Sequence, residues 1–470
     1  MRIRLVPWLF ALALCTNLAY AGDAAQSAPM NAWLRPCSGL TPEPVSLARM
    51  LEVAAQGQPQ YLMAQQDVEK AKAGVLRAWS AFLPAAAATV ENDRYKPANG
   101  GSPVTVVGNS IVGGNGQGYT SYGAASLNVN LYNGGRDVAG YRASKAMQNA
   151  SEASLAGALA DVLEAVITSY GDLYKTQLVV KETSEVLTSL RAIQATATER
   201  FRDGHGTTIA IGKARNDVLD AERQLYQACH GLRDKSDALV KAIGADVSPG
   251  RVLVASGAVA PANSGLLDLG SVDAAVMAAP AVIAAQQQVT AAYSKVDQAK
   301  GAFLPVVSAF AKKDFLGQSL SGFGSANGAL ASQSYRVGVS IQQPLGPFTT
   351  EYAELASAKS EALRQEAVLQ QTVVDTRNRL HSAFNALIEA KDAAQSADDS
   401  LAESRKLLAL TESLFRAGRT TVDSVEQARV DVYKSELLLH EQQLDLEVAS
   451  WKLERSLGAE SFAQKALDIR

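Results

Sequence analysis

Cysteine is scarce in this sequence, with 3 among 470 residues, and the first of them, Cys15, lies close to the N-terminus. Cys37 and Cys229 are too few for a disulfide-rich scaffold, and the sequence leaves open whether they pair. Long apolar runs are also missing, because no stretch of 18 or more apolar residues follows the N-terminal segment. A membrane-spanning helix is therefore excluded, and any crossing of a membrane would have to be made by strands.

The sequence also lacks an excess of positive charge and any recognisable catalytic set. Lys and Arg number 44 against 47 Asp and Glu, so nothing favours a nucleic-acid partner. The four histidines are scattered without the spacing of metal ligands, and the Gly-rich residues 113–118 follow no strand-to-helix switch that would cradle a phosphate. We expect no cofactor, no metal and no enzyme activity, because no acid, base and nucleophile converge.

The N-terminus has the pattern of a secretory signal peptide. Residues 1–4 carry two arginines, residues 5–14 are apolar, and Ala19-Tyr20-Ala21 is a small-x-small cleavage site. Residues 1–21 are therefore predicted to be removed on export, which would leave a net charge of about −5. Lipidation at Cys15 is disfavoured because Leu14 stands where that signal needs a small residue.

A heptad pattern occurs twice. Large apolar or small residues recur at a spacing of seven through one stretch, at Val373, Leu380, Leu387, Ala394, Leu401, Leu408 and Phe415. An offset of 214 residues gives Leu159, Val166, Leu173, Val180, Leu187, Gln194 and Phe201. A period of 3.5 held this long predicts two long coiled-coil helices, at about residues 136–203 and 350–417.

A second repeat precedes each long helix. Residues 59–84 and 280–305 both start at proline and end in Phe-Leu-Pro, at an offset of 221. Period-two alternation then predicts strands near residues 86–95 and 127–131, and near 306–315 and 335–342. Gly-rich loops at residues 99–118 and 317–332 would close them into two hairpins.

These repeats define the predicted domains. After the signal peptide we expect an irregular leader (22–46), repeat 1 (47–245), a linker (246–270), repeat 2 (271–458) and a C-terminal tail (459–470). In each repeat the long helix ends at a glycine, Gly204 or Gly418, and Thr207 or Thr421 caps a return helix.

Two hairpins supply four strands, too few to close a barrel. An open sheet edge does not face lipid, because its N–H and C=O groups would have no partner. The strands therefore form either an ordinary soluble sheet or a barrel pooled from several chains, and export together with the Gly-rich loops favours pooling. Two, three or four chains would give eight, twelve or sixteen strands.

The whole mature chain resembles the TolC family of outer-membrane efflux and secretion channels. The resemblance rests on the duplicated Phe-Leu-Pro helix, Leu131-Tyr132-Asn133-Gly134-Gly135 before the long helix, the weaker Gln343-Pro344-Leu345 counterpart and the paired Arg-x-Gly tips. It implies a mostly α fold with β: a long-helix coiled-coil α-barrel and four strands per chain in a 12-stranded trimeric β-barrel. It also implies a homotrimer in the outer-membrane lipid that extends into the periplasm of a Gram-negative cell.

The resemblance further implies contacts with a periplasmic adaptor and with an inner-membrane ABC transporter or proton-driven pump. The tips are the candidates for docking the adaptor, through Arg202, Gly204, Thr207, Arg416, Gly418, Thr420 and Thr421. Family members often narrow the entrance with aspartates, but here Ser424 and Gln427 stand at those positions. Asp423 and Glu426 lie one residue earlier, which is about 100° away on a helix.

Asp217, Asp220, Asp423 and Glu426 are the candidate entrance-lining residues, with a solvated helix face as the alternative for all four. The function expected from the resemblance is the exit duct of type I protein secretion. The alternatives are multidrug efflux and, from another class, a periplasmic coiled-coil adaptor without a pore.

Overall fold

The computed structural model describes residues 37, 41–95, 104–107, 110–113, 118–246, 251–259, 272–319 and 332–469. The predicted signal peptide lies outside these residues, as does the predicted leader up to residue 40 apart from Cys37. The chain divides into two compact units. The first combines Met1–Leu51, Val166–Pro261 and Ile388–Ala449, and the second combines Glu52–Ala165, Ala262–Leu387 and Ser450–Arg470.

Helices make up most of the described chain. They are α1 (Leu47–Gly57), α2 (Pro59–Ser80), α3 (Arg136–Arg202), α4 (Thr208–Ala242), α5 (Val272–Ala278), α6 (Pro280–Lys300), α7 (Thr349–Arg416), α8 (Val422–Leu457) and α9 (Ala459–Leu467). The strands are β1 (Thr41–Val45), β2 (Ala85–Tyr95), β3 (Val104–Val107), β4 (Ser110–Gly113), β5 (Gly118–Asn133), β6 (Arg251–Ala255), β7 (Val306–Ser319) and β8 (Ser332–Gln342). Within the described residues, no helix has the length and apolar character needed to span a membrane.

The two long helices are confirmed to within one residue at each end. The 67 residues of α3 and the 68 of α7 would each extend about 100 Å at 1.5 Å per residue. The heptad positions Val166, Leu173 and Val180 are completely buried. The side chains of α3 are buried more widely than one seam requires, because Leu163 and Ile167 are also buried.

In the first unit, the duplication is visible in matching ion pairs. Arg191 of α3 contacts Glu222 of α4 at 2.8 Å, and Arg405 of α7 contacts Glu436 of α8 at 2.8 Å. Each residue of the second pair lies 214 positions after its counterpart. Equivalent side chains therefore join the long helix to the return helix in both repeats.

A small parallel sheet in the first unit was not predicted. Residues 22–46 were expected to be irregular and residues 246–270 to be a linker, but β1 pairs in parallel with β6. Buried side chains of α3 hold this sheet. Tyr170 Oη donates to the carbonyl oxygens of Val45 and Gly257, at 3.3 and 3.0 Å. Gln177 bonds both the N–H and the C=O of Ala255, so the amide satisfies backbone groups that β6 leaves unpaired.

Cys37 and Cys229 form a disulfide in the first unit, which resolves the alternative left open by the sequence. The bond ties the segment that precedes β1 to α4. The two cysteines are 192 positions apart, so the bond closes a long loop and restricts the unfolded chain.

Cys37→Ser combined with Cys229→Ser is expected to lower the free energy of unfolding of the first unit by about 2–5 kcal/mol, because the unfolded chain regains loop entropy. Thermal unfolding of the purified protein, followed by circular dichroism, measures the effect. Wild type treated with a reductant should match the double variant, and an unchanged melting temperature in both would contradict the prediction.

The second unit contains a four-stranded antiparallel sheet with the order β2-β5-β7-β8. The two predicted hairpins are confirmed as β2–β5 and β7–β8, and β5 pairs with β7 to join the two repeats in one sheet. A short two-stranded sheet, β3–β4, lies within residues 99–118, which were expected to be only a loop.

The sheet has one apolar and one polar face. Tyr335, Val337, Val339 and Ile341 alternate along β8 on the apolar face, and all four are 62–82% exposed. The register places Val90, Leu127 and Val129 on this face too, together with the charged Lys313. The opposite face carries mainly polar side chains, among them Asn128, Asn130, Ser308, Ser340 and Gln342.

Gly134 and Gly301 form a close backbone crossing in the second unit. Gly134 has φ +59°, and a Cβ atom there would overlap the carbonyl oxygen of Gly301. A Cβ atom at Gly301 would lie 2.5 Å from the carbonyl oxygen of Gly134. The crossing brings the start of α3 against the end of α6 and admits only glycine at both positions.

The C-terminal tail is helical, although no helix was predicted there from the sequence. The residues of α9 pack on the end of α8, where Trp451 and Phe462 stack edge to face with ring centroids 5.9 Å apart. Phe462 is completely buried, and Lys465 pairs with Glu454. The tail is thus part of the second unit.

Candidate functional site: the helical tips

The ends of α3 and α7 have the same turn geometry. Gly204 and Gly418 have φ +80° and +70°, the left-handed region that ends helices. The N–H of His205 bonds the Arg200 carbonyl at 2.8 Å, and that of Arg419 bonds the Leu414 carbonyl at 2.9 Å. These six-to-one bonds satisfy the last carbonyls of each helix, so the predicted glycine stops are confirmed.

The return helices begin with the predicted threonine caps. Thr207 Oγ1 accepts from the N–H of Ala210 at 3.2 Å, and Thr421 Oγ1 accepts from the N–H of Ser424 at 3.4 Å. One of the differences between the turns is that Gly206 of the first tip corresponds to Thr420 of the second. A Cβ atom at residue 206 would lie 2.7 Å from the backbone nitrogen of Phe201, so only the second tip has room for a side chain there.

An ion pair joins the two tips. Arg200 Nη1 of α3 donates to Asp423 Oδ2 in the first turn of α8 at 2.9 Å, and both side chains are 37% exposed. The second oxygen, Oδ1, is buried and has no hydrogen-bond partner among the described residues. The sequence indicated Asp423 but not Arg200, because the pair spans 223 positions and neither residue belongs to a motif.

Glu426 has a different partner. Arg429 donates to Glu426 at 3.0 Å and lies 3.5 Å from Glu412 of α7, so it links the acidic residue to the neighbouring long helix. Asp220 pairs with Arg223 at 3.4 Å on the exposed side of α4, and Asp217 is half-buried. The four predicted entrance residues therefore do not form one cluster.

The docking candidates are accessible. Thr420 is half-buried, and the other six are exposed: Arg202, Gly204, Thr207, Arg416, Gly418 and Thr421. Two adjacent glycine turns, each with a basic residue two positions earlier, offer backbone and guanidinium donors to a partner. Ser424 and Gln427, which stand at the family's aspartate positions, are also exposed.

In the trimeric channel that the resemblance implies, Arg200→Ala is expected to raise the open fraction, because it removes the ion pair between the tips. A half-exposed ion pair contributes up to about 1 kcal/mol, so three copies acting together would shift the equilibrium by up to about a hundredfold. Single-channel recording measures this shift. Arg202→Ala is the matched control, and the exchange Arg200→Asp with Asp423→Arg should restore the wild-type open fraction. An Arg200→Ala variant with wild-type openings would refute the tip cross-link as a closure.

The polar face of the four-stranded sheet carries one charged cluster. Asp314 accepts a hydrogen bond from Tyr122 Oη at 2.7 Å and pairs with Lys312 at 3.0 Å and Arg336 at 3.7 Å. The cluster connects β5, β7 and β8 across the face. Among the described residues, no group of His, Cys, Asp and Glu side chains has the arrangement of a metal site.

Duplicated long helices, glycine-ended tips and a sheet with an exposed apolar face are the features that the resemblance to the TolC family implies. The sequence matches the model of the outer membrane efflux protein family over residues 50–245 and 272–459. The chain belongs to this family, and the expected TolC-like fold is confirmed. No curated protein matches the sequence.

Solved structures share this fold at low sequence identity. The Campylobacter jejuni outer membrane channel CmeC superposes with a TM-score of 0.72 and 16% identity, covering 90% of each chain. A Pseudomonas aeruginosa membrane protein superposes with a TM-score of 0.72 at 18% identity, and the match covers 88% of this chain and 93% of that one. The Vibrio cholerae outer membrane protein VceC superposes with a TM-score of 0.70 at 15% identity, and the match covers 88% of this chain and 96% of VceC.

Membership of the family establishes the location and the general role. The protein is an outer-membrane channel of the efflux protein family and extends into the periplasm. Channels of this family are trimeric and work with periplasmic adaptors and inner-membrane pumps. The family is one of transport ducts and not of enzymes.

Proposed function

We propose that three copies of this chain form the exit duct of a tripartite export system. The observation that carries the proposal is the four-stranded sheet, whose edge strands β2 and β8 each have one unpaired side within it. Pairing β8 of one copy with β2 of the next closes a ring of twelve strands and satisfies all these backbone groups.

The exposed side chains support this arrangement. The apolar face of β8 would meet the lipid, and the polar face would line the lumen. The exposed row of large apolar side chains along β8 argues against the alternative of a periplasmic adaptor without a pore, because a soluble protein rarely exposes such a row.

We also propose that the tips dock the periplasmic adaptor through the seven residues named above, and that Asp423 and Glu426 contribute to the entrance. The predicted division into repeats at 47–245 and 271–458 belongs to this proposal. It is supported by the equal offset of the Arg191–Glu222 and Arg405–Glu436 pairs.

For the cargo, we propose a polypeptide exported by type I secretion with an ABC transporter. The polar face supports this choice, because it presents mainly amide and hydroxyl groups that a hydrated chain can pass without lasting contact. Multidrug efflux with a proton-driven pump is the second candidate. The description of the matching family as efflux proteins favours it.

Two measurements test the proposal. Purified protein in a planar bilayer should give discrete channels from a trimer, and a monomer without conductance would end the exit-duct proposal. Deletion of the gene should then remove one protein from the culture medium without changing drug susceptibility. Lowered resistance to drugs with an unchanged set of secreted proteins would reject type I secretion in favour of efflux.

A further inference from the structure

A buried carboxylate lies on the side of α3 that faces α8 in the first unit. Lys175, seven positions before this carboxylate and on the same face of α3, pairs with Asp445 of α8 at 2.9 Å. Glu182 of α3 is 4% exposed. Its Oε2 atom is buried without a hydrogen-bond partner among the described residues. The nearest cation to Oε1, Lys181 Nζ, is 3.9 Å away and belongs to an exposed side chain of the same helix. An ionised carboxylate in such a place loses its hydration and gains little in return.

The groups that face Glu182 are mainly acidic. Glu185 lies on its own helix, and Glu436 of α8 is close enough to act on it electrostatically. Arg405 of α7 already pairs with Glu436 at 2.8 Å, so this guanidinium is committed to the neighbouring carboxylate. The contact between α3 and α8 therefore brings Glu182 near Glu436, whose charge is already paired with Arg405.

Protonation of Glu182 removes the conflict. Burial, followed by the charge of Glu185, raises the pKa of Glu182 above its ordinary value, and Glu436 adds to the effect against the opposing influence of Lys181. Farther along the same contact, burial raises the pKa of Glu441, with Lys175 opposing and Asp445 adding. Burial alone raises the pKa of Glu447 of α8 to about 7.

We propose that Glu182 is a proton-operated latch that holds α8 against α3 while it is neutral and releases α8 when it ionises. The ligand of this site is a proton from the periplasm. Release would loosen the return helix that carries Asp423, and the consequence for conductance rests on the proposed exit-duct function.

The direction of the pH dependence follows from the linkage. A carboxyl with a raised pKa in the packed state binds its proton more tightly there, so packing is favoured below the ordinary value of 4.5. The preference is lost as the pH rises from 4.5 through the raised pKa, and for Glu447 this window extends to about 7. Each proton released changes the ratio of open to closed forms by up to about tenfold per pH unit inside the window.

Spin labels test the latch without requiring a pore. Thr188→Cys and Lys434→Cys place labels at exposed positions on α3 and α8, in the intact protein with its native disulfide. The distance between the labels should grow between pH 5 and pH 8. Glu182→Gln, which keeps the shape but cannot ionise, should reduce this change to the part that ionisation of Glu447 contributes.

Control variants make the result specific. Glu403→Gln changes an exposed carboxylate of α7 and should respond to pH as wild type does. Glu436→Gln removes the facing charge and should reduce the response. If Glu182→Gln fails to fold, Glu182→Met offers a neutral side chain of similar volume with the same expected result. A pH response as large in the neutral variants as in wild type, or one absent from wild type, would overturn the latch.

Channel recordings add the functional arm. The open fraction should rise from pH 5 to pH 8 in wild type and rise clearly less in Glu182→Gln. Absent conductance at every pH would count against the exit duct, whereas label distances that do not respond to pH count against the latch.

Discussion

Gly134→Ala is expected to abolish accumulation of the folded protein in the outer membrane. The new Cβ atom would overlap the Gly301 carbonyl oxygen where α3 and α6 meet, and alanine is also strained at φ +59°. The nearest atoms that the new Cβ would meet belong to the backbone of Gly301, so the clash cannot be relieved by the movement of a flexible side chain. A cost above about 4 kcal/mol is the scale at which single substitutions unfold a domain.

Gly135→Ala is the matched control for this prediction. Gly135 has φ +76°, yet a Cβ atom there has no heavy atom within 4 Å, so only the backbone strain of about 1–2 kcal/mol remains. Immunoblots of outer-membrane fractions compare the two. The close crossing would be disproved if both variants accumulated equally, and Gly301→Ala should reproduce the defect.

Val337→Lys combined with Val339→Lys is expected to prevent insertion into the membrane. Both side chains lie on the apolar face of β8, 78% and 62% exposed, where the proposed barrel meets lipid. A lysine near the middle of the bilayer costs about 2–4 kcal/mol on such a face, and every copy in the assembly would carry two.

Ser340→Lys separates this effect from general damage to the strand. Ser340 lies on the opposite face of β8, which the proposal turns toward the lumen, so the added charge remains hydrated. Fractionation after expression should find this control in the outer membrane and the double variant outside it. Equal insertion of both would mean that the apolar face does not meet lipid.

The long helices were predictable because the seven-residue spacing extends over dozens of residues and repeats. Val166, Leu173 and Val180, which the pattern placed in the seam, are fully buried. The tips were predictable because their signals are local. A glycine that ends one helix and a threonine that caps the next lie within a few residues of each other.

Features that depend on distant partners were missed. The strands β1 and β6 are only five residues long each and are held by Tyr170 and Gln177 of α3. No local sequence pattern predicts this contact. The tail helix α9, whose Phe462 packs on Trp451 of α8, was also missed. In the candidate site, Asp423 was found from the sequence but its partner Arg200 was not, because the two residues lie 223 positions apart.

The pairing of β5 with β7 has a consequence for biogenesis. The two strands are separated by more than 170 residues, so the first half of the chain reaches the periplasm while one edge of β5 still awaits its neighbour. Such distant contacts form slowly, and a bare strand edge invites association with other nascent chains. We expect the newly exported chain to depend on a periplasmic chaperone until β7 has also been exported. Depletion of that chaperone should cause the new chains to aggregate before they assemble.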